Sequence, residues 1–295
     1  MNKQHKGKIV CKVGEFSVID CDVCGFKHID PIPGDDELKK RYRNNFYKKE
    51  KVNYFKDAEE DLAWWTLTYR EYYKLLSQYV EGKMLLDIGS GPGYFLKIGK
   101  ELGWSVTGLE PSADAYHYSS SLGLDVINAP FDTGIIKQLD KYDVVSMNYV
   151  LEHISEPIKF IQSIKAVLKK DGLLFLVFPN DFNPLQNILW QKMGFKPWWV
   201  VPEHHINYFD LESITSLLKK QGFKLRAYSG TYPMETFLLS DHNYIDNRRL
   251  GRICHRWRKE FEINLYKHAP ALLRELYTDL AKRGIGRAVV VIAQK

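Results

Sequence analysis

The stretch Met84-Leu85-Leu86-Asp87-Ile88-Gly89-Ser90-Gly91-Pro92-Gly93-Tyr94 decides the fold. Its first five residues form a short, nearly wholly apolar run, which suits a buried strand. Three glycines then fall within five residues, where a chain turns sharply or lets a ligand approach its backbone. Phe95, Leu96, Ile98 and Leu102 recur at helical spacing and stop at Gly103. The turn therefore leads from a strand into a helix.

The same alternation repeats downstream. Trp104 to Glu110 reads as a second strand, and Ser112 as the cap of a helix that ends near Gly123. Val126–Asn128 and Asp143–Asn148 read as the third and fourth strands. Phe160, Ile161, Ile164, Val167 and Leu168 form a helix face, and Asp171-Gly172 turns the chain into a fifth strand, Leu173–Phe178. Asp210 caps a helix bearing Ile214, Leu217 and Leu218; Phe223–Tyr228 and Arg287–Ala293 are the sixth and seventh strands. Upstream, Leu62, Trp65, Leu67, Tyr69, Tyr72 and Leu75 predict a helix within 58–80. Short strands alternating with helices predict an α/β fold with a doubly wound, seven-stranded, mostly parallel sheet. We divide the chain into an accessory region, 1–55, and a main domain, 56–295, with a helical insertion at about 240–285 before the last strand. Ligands of such sheets bind at the carboxyl ends of the strands, where the strand order reverses.

Composition bounds the rest. With 295 residues, 45% hydrophobic and 26% charged, the chain is globular rather than fibrous or disordered. No apolar run approaches the roughly 20 residues of a membrane-spanning helix. Met1 to Lys8 is polar and basic, so the expected compartment is the cytoplasm. Four cysteines in a chain of this length make no disulfide framework. The net charge of +6 permits an anionic partner without demanding one. Nucleic acid is not an expected partner, since no basic stretch is interleaved with stacking aromatics.

Asp87 and the loop Gly89, Ser90, Gly91, Gly93 and Tyr94 carry the ligand signal. The helix behind the loop aims its first amides at an anionic group. Glu110 ends the second strand, 21 residues past Gly89, where an acid can accept two ribose hydroxyls. A dinucleotide fingerprint needs its third glycine where Tyr94 stands. Asp87 has no part in that pattern, but it suits an ammonium group such as that of a methionine moiety. The plain alternative is a glycine turn with no ligand.

LLDIGSGPGYFL, then GLEPS, then VVSMNYVLEHISEP resemble the motifs of class I S-adenosylmethionine-dependent methyltransferases. The likeness is to the subgroup of ubiquinone-biosynthesis-like and sugar methyltransferases, and it covers roughly residues 60–230. It implies that Asp87, Gly89 and Gly91 line the methionine part and that Glu110 holds the ribose. It places Pro111 and Ser112 beside the adenine, Asn148 and Tyr149 near the sulfonium, and Glu152 and His153 just beyond. The acid that usually meets the adenine amino group follows the third strand, where this chain offers Asn128, Ala129 or Asp132.

Methyl transfer from a sulfonium needs an aligned acceptor and, for a protic acceptor, a base. After the fifth strand come Trp190, Phe195, Trp198 and Trp199, then Glu203, His204 and His205. Aromatic surface beside a Glu-His-His cluster suits a lidded pocket holding a base. The Glu203–His204 pair resembles the catalytic pair of sugar C-methyltransferases. In the wider family a histidine here precedes an N-x-[FY]-F run with a structural role. We expect His204 as base with Glu203 orienting it and Tyr149 nearby, and His205 and His153 behind them in order. A two-histidine metal centre lacks a third ligand at helical spacing.

Cys21-Asp22-Val23-Cys24-Gly25 has the form of a zinc knuckle, with Cys21 and Cys24 as the expected ligands. Cys11, His5 and His28 are the nearby candidates to complete it, and a second C-x-x-C is absent. The alternative is a reduced cysteine pair in a small β-hairpin. Sugar C-methyltransferases carry an N-terminal zinc module of this sort, usually with two C-x-x-C pairs. Leu250, Ile253, Cys254, Trp257, Phe261 and Leu265 alternate with Arg248, Arg249, Arg252, Arg256, Arg258 and Lys259. This is a basic amphipathic helix, ordinarily a packed helix with a solvated face; contact with an anionic membrane is the less favoured reading. The expected activity is S-adenosylmethionine-dependent methyl transfer to a small molecule, with a sugar or nucleotide-linked sugar of surface-polysaccharide synthesis as acceptor. The alternatives are O-methylation of a prenylated or lipid acceptor, and a non-catalytic cofactor-binding module.

Overall fold

The computed structural model describes residues 5–34, 59–202 and 204–295. Three strands come first: β1 (Gly7–Val13), β2 (Phe16–Cys21) and β3 (Phe26–Asp30). Helix α1 (Leu62–Leu76) precedes the alternating core of β4 (Met84–Ile88), α2 (Tyr94–Glu101), β5 (Ser105–Leu109), α3 (Ala113–Ser121), β6 (Val126–Ile127), α4 (Thr133–Ile136), β7 (Tyr142–Asn148), α5 (Pro157–Ile164) and β8 (Leu168–Pro179). Helix α6 (Pro184–Met193), β9 (Asn207–Tyr208), α7 (Leu211–Lys220) and β10 (Lys224–Gly230) follow. The insertion comprises α8 (Glu235–Leu239), α9 (Arg248–His268) and α10 (Pro270–Lys282), and β11 (Ala288–Gln294) closes the chain.

Among the described residues the main sheet has seven strands in the order β10-β11-β8-β7-β4-β5-β6. The pairs β4–β5, β4–β7, β5–β6 and β7–β8 are parallel, and β11 is antiparallel to both its neighbours. The order reverses between β4 and β7, so a crevice opens above their carboxyl ends. Leu173 to Phe178 on β8 are each no more than 3% exposed. Helices cover both faces of this strand, which accounts for its unbroken apolar run. Burial of each such side chain contributes roughly 1.5–3 kcal/mol.

Helix α1 docks through Tyr73 and Leu76 onto the face that holds Phe95 and Phe175. The Tyr73 ring stacks on Phe95 at 4.6 Å, and its hydroxyl donates to the Phe95 carbonyl at 3.1 Å. The insertion is tied to α1 by polar contacts. His255 Nε2 lies 2.7 Å from Asp61, Lys259 also meets Asp61, and Arg274 lies 2.6 Å from Glu71. Trp64 Nε1 donates to Glu262 at 2.7 Å.

The accessory region is larger than a hairpin. Strands β1–β3 form an antiparallel meander that recruits β9 from the main domain, giving the order β1-β2-β3-β9. Lys27 pairs with Tyr208 and His28 with Asn207. A two-residue strand leaves no periodicity in a sequence, so β9 had no readable signal. The helix expected within 58–80 is described as Leu62–Leu76, and the helix over 184–193, capped by the Asn183 side chain, was not anticipated.

Candidate functional site

The glycine loop leaves β4 at the switch point. Gly89 has φ +71°, and an added Cβ would lie 2.6 Å from Val150 Cγ2, so side chains are excluded on both backbone and steric grounds. Gly93, also left-handed, is the N-cap of α2 and sets Tyr94 as its first residue. Asp87 is 2% exposed. Its Oδ1 accepts from Ser146 Oγ at 2.7 Å and from Asn148 Nδ2 at 3.3 Å. Burial pushes its carboxyl up to about 7 against those two hydrogen bonds, and repulsion from Glu110 adds to the rise.

Glu110 is equally buried. Its two oxygens accept from the amides of Gly91 and Ser112, each at 2.8 Å. Burial raises it to about 7 although both amides favour the charged form. Asn128 donates its side-chain amide to the Glu110 carbonyl at 2.8 Å. Asp132 caps α4 through the amides of Gly134 and Ile135. These two residues are thus engaged in supporting the loops around Glu110. Ser90 Oγ is buried in the glycine loop without a hydrogen-bond partner among the described residues. Two buried carboxylates, an unpartnered hydroxyl and a backbone open only to glycine fit a ligand with one cationic and one polyhydroxylic end.

Tyr149 follows Asn148 at the end of β7 with φ +58°, an uncommon conformation for a bulky residue. Its amide donates to the Val177 carbonyl at 2.7 Å, which helps hold that backbone in place. Tyr149 lies at the wall of a cavity of about 350 Å³. Trp64, Trp65, Tyr72, Tyr228 and Tyr266 line it further, with Arg258, Arg274, Glu71 and Glu262 among them. Glu262 is buried and accepts from Trp64, from Tyr277 at 2.6 Å and from Arg258 at 3.1 Å. The Arg258 guanidinium also sits over the Trp64 ring at 4.6 Å. Glu262 and Arg274 line this cavity without a signal in the sequence, because helical periodicity assigns α9 and α10 to packing, while Arg258 is visible there only as one cation of the basic helix.

The histidines gather above β7 and β8. Two of the rings are described beside carboxylates: His205 Nδ1 lies 3.5 Å from Asp181 Oδ2, and His153 Nε2 lies 3.9 Å from Glu152 Oε1; Asp181 is 5% exposed. His204 contributes its carbonyl, 2.5 Å from His153 Nδ1. Glu203, expected to orient His204, lies outside the described residues. Glu152, His153 and His205 bring ligand atoms within 4.8 Å of one another; His204 is not in this group, so the two histidines brought together are His153 and His205 and not the sequence-adjacent pair. Arg287, at the entrance to β11, is disfavoured as a cation by burial, but Asp181 and Glu235 beside it more than offset this. Asp181 is visible in the sequence only as an acid two residues beyond a strand end.

In the accessory sheet, Cys21 ends β2 and Cys24 stands in the turn before β3. Gly25, left-handed, donates its amide to the Cys21 carbonyl at 2.8 Å. Among the described residues no helix is long and apolar enough to cross a membrane.

Residues 54–228 match the model of a methyltransferase domain family. A ubiquinone biosynthesis O-methyltransferase of Glaesserella parasuis is 35% identical over 105 residues, covering 32% of this chain and 44% of that protein. The C-methyltransferase NovU of Streptomyces niveus is 22% identical over 149 residues, 49% of this chain and 34% of that protein. The matches thus span less than half the length of these curated relatives. The plantazolicin methyltransferase BamL, solved with a triazolic desmethylPZN analogue and SAH, superposes with TM-score 0.54 at 14% identity over 88% of this chain and 96% of its own. A SAM-dependent methyltransferase of Archaeoglobus fulgidus gives 0.51 at 17% identity, over 78% and 93%. At these identities the likeness concerns the fold. With the family model covering more than half of the chain, this protein belongs to the methyltransferase domain family, and its sheet has the class I, S-adenosylmethionine-dependent methyltransferase fold.

Proposed function

We propose that the enzyme methylates an oxygen of a compact, largely apolar acceptor with an aromatic ring, bound in the cavity behind Tyr149. The observation that carries this reading is the cavity itself. Its aromatic walls suit a flat apolar body, and about 350 Å³ is at the small end for ligand sites. The likeness to ubiquinone biosynthesis O-methyltransferases supports oxygen as the receiving atom. The sugar reading shares the aromatic walls, which can stack on a sugar face. A nucleotide-linked sugar also brings a diphosphate, and Arg258 and Arg274 are each already paired with a carboxylate.

In this reading Asp87 receives the ammonium of S-adenosylmethionine and Glu110 its ribose hydroxyls. Gly89, Ser90, Gly91, Gly93 and Tyr94 form the floor, Pro111 and Ser112 flank the adenine, and Asn148 and Tyr149 border the sulfonium. The cofactor supplies an electrophilic methyl group with a good leaving group. His205, with Asp181 3.5 Å from its Nδ1, accepts the acceptor proton; it stands outside the residues that line the cavity, so in this reading the acceptor's hydroxyl end projects beyond the Tyr149 wall. His205 is the base of this reading because the buried Asp181 carboxylate stands 3.5 Å from its ring. A zinc ion held by Cys21 and Cys24 belongs to the same reading as a structural component outside the reaction.

The test is incubation with methyl-labelled cofactor against two acceptor panels, small phenols and catechols on one side and nucleotide sugars on the other, with mass identification of the product. Trp65→Ala should raise the KM for the accepted phenol and leave cofactor affinity unchanged. Turnover on nucleotide sugars alone would overturn the acceptor assignment.

A further inference from the structure

The accessory sheet brings together four side chains far apart in sequence. His5 precedes β1, Cys21 ends β2, Cys24 lies in the β2–β3 turn and His28 sits within β3. One ligand atom from each of the four lies within 4.8 Å of all the others. His5 Nδ1 stands 3.7 Å from Cys21 Sγ and 3.4 Å from Cys24 Sγ. A tetrahedral zinc with Zn–S of about 2.3 Å and Zn–N of about 2.0–2.1 Å requires S···N separations of about 3.5–3.6 Å. The measured pair brackets that value.

A second, independent observation concerns His28. It is fully buried, and its Nδ1 lies 2.8 Å from the Ile29 carbonyl. A carbonyl only accepts, so Nδ1 carries the proton and Nε2 presents a lone pair. That Nε2 is buried and has no hydrogen-bond partner among the described residues. An unpaired polar atom in such a place costs roughly 1–3 kcal/mol. A metal ion satisfies it, and a carbonyl on the far ring nitrogen is the usual support for a metal-bound imidazole.

We infer that His5, Cys21, Cys24 and His28 form a Cys₂His₂ zinc site, with the two histidines completing the half-set that the single C-x-x-C provides. On binding, each thiol forms a Zn–S bond and gives its proton to solvent, while the histidines donate as neutral imidazoles. The ion joins the segment before β1 to the β2–β3 turn. That turn is itself anchored: Cys24 and Phe26 pack with the main core. Strand β3 in turn pairs with β9, two residues beyond His205. The site is therefore a staple that holds the accessory sheet against the segment carrying the acceptor-side histidines, and it takes no part in methyl transfer.

The experiment uses the full chain purified without chelators. Elemental analysis should find one zinc per chain. Replacement by Co²⁺ should give the intense visible bands of a tetrahedral ion and a near-ultraviolet thiolate charge-transfer band. Cys21→Ser should abolish that band. His5 is exposed, so His5→Ala disturbs no core, and it should weaken metal affinity about tenfold or more and alter the cobalt spectrum. Cys11→Ser and Cys254→Ser serve as controls and should leave both unchanged. Chelation should lower the thermal midpoint while S-adenosylmethionine still binds. A folded protein free of zinc that shows no thiolate–cobalt band would overturn the site. A cobalt spectrum indifferent to both His5→Ala and His28→Ala would overturn the ligand set.

Discussion

Asp87 offers the most direct test of the cofactor site. In the protein without ligand its carboxyl is raised from the ordinary 3.8 to about 7, chiefly by burial. That rise corresponds to about 4 kcal/mol disfavouring the charged form. A bound ammonium reverses the balance, since an adjacent cation favours the carboxylate. Binding is then coupled to loss of a proton. From pH 7 to pH 5 the affinity for S-adenosylmethionine should fall about tenfold per pH unit for each coupled proton. Glu110, also raised to about 7, can add a second. The sign for stability is opposite. An acid whose folded value lies above its unfolded value costs nothing below pH 4 and progressively more as pH rises to 7. The ligand-free protein should therefore lose stability across that window. Asp87→Asn removes the charge while Ser146 and Asn148 remain. It should weaken cofactor binding, raise the stability of the free protein at pH 7 and remove one proton from the coupling. Calorimetry at pH 6 in two buffers of different ionisation enthalpy counts the protons released. A wild-type affinity constant from pH 5 to 7, or an Asp87→Asn protein with an unchanged proton count, would refute the reasoning.

Gly89→Ala combines a left-handed backbone with an approach of 2.6 Å to Val150. It should abolish measurable cofactor binding and cost about 1–3 kcal/mol of stability, read by isothermal calorimetry and chemical denaturation. His205→Asn should lower turnover by roughly 10²–10⁴-fold at unchanged cofactor affinity. Asp181→Asn should lower it less, because the ring remains and loses its orienting charge. His204→Ala should keep turnover within about threefold per folded molecule; single-turnover rates with labelled cofactor decide between the two histidines.

The sheet was legible because its strands are buried on both faces. Leu173–Phe178 and Ala288–Ala293 are continuous apolar runs, and the strands end within a few residues of where the runs end. That Asp87, the three glycines and Glu110 gather at the switch-point crevice was legible because sharp turns at strand ends restrict which residues fit. The acceptor side was not. Asp181, Arg287 and Glu262 lie on three separate segments and meet through the antiparallel return of β11 and the insertion before it. No spacing rule links position 181 to position 287. His205 and His204 are adjacent, so which ring faces a carboxylate depends on one turn of backbone. The proposed metal ligands fall between these cases. Cys21 and Cys24 are marked by spacing; His5, His28 and Cys11 stand in the sequence as equal candidates beside them, and only the β1–β2–β3 meander brings His5 and His28 to the pair.

In the proposed reading, the two halves of the reaction are carried by different parts of the chain. The cofactor side is built from β4, β5 and β7, whose loops are held by backbone geometry and by short hydrogen bonds within the switch-point crevice. The acceptor cavity is built from α1, β10 and the insertion, and these are held by charged contacts that cross between helices: Asp61 with His255 and Lys259, Glu71 with Arg274, and Glu262 with Arg258, Trp64 and Tyr277. Partly buried ion pairs contribute little net stability, because desolvation offsets their attraction. Their effect is geometric: removing one partner leaves the other charge uncompensated in the wall, so the helices are held in one arrangement. A cavity held open in this way loses little ordering entropy when a rigid acceptor enters. Tyr149 is the point of contact between the halves. Its strained backbone is fixed by β8 and its ring stands at the cavity wall, so an acceptor bound as proposed meets the carboxyl end of β7 there.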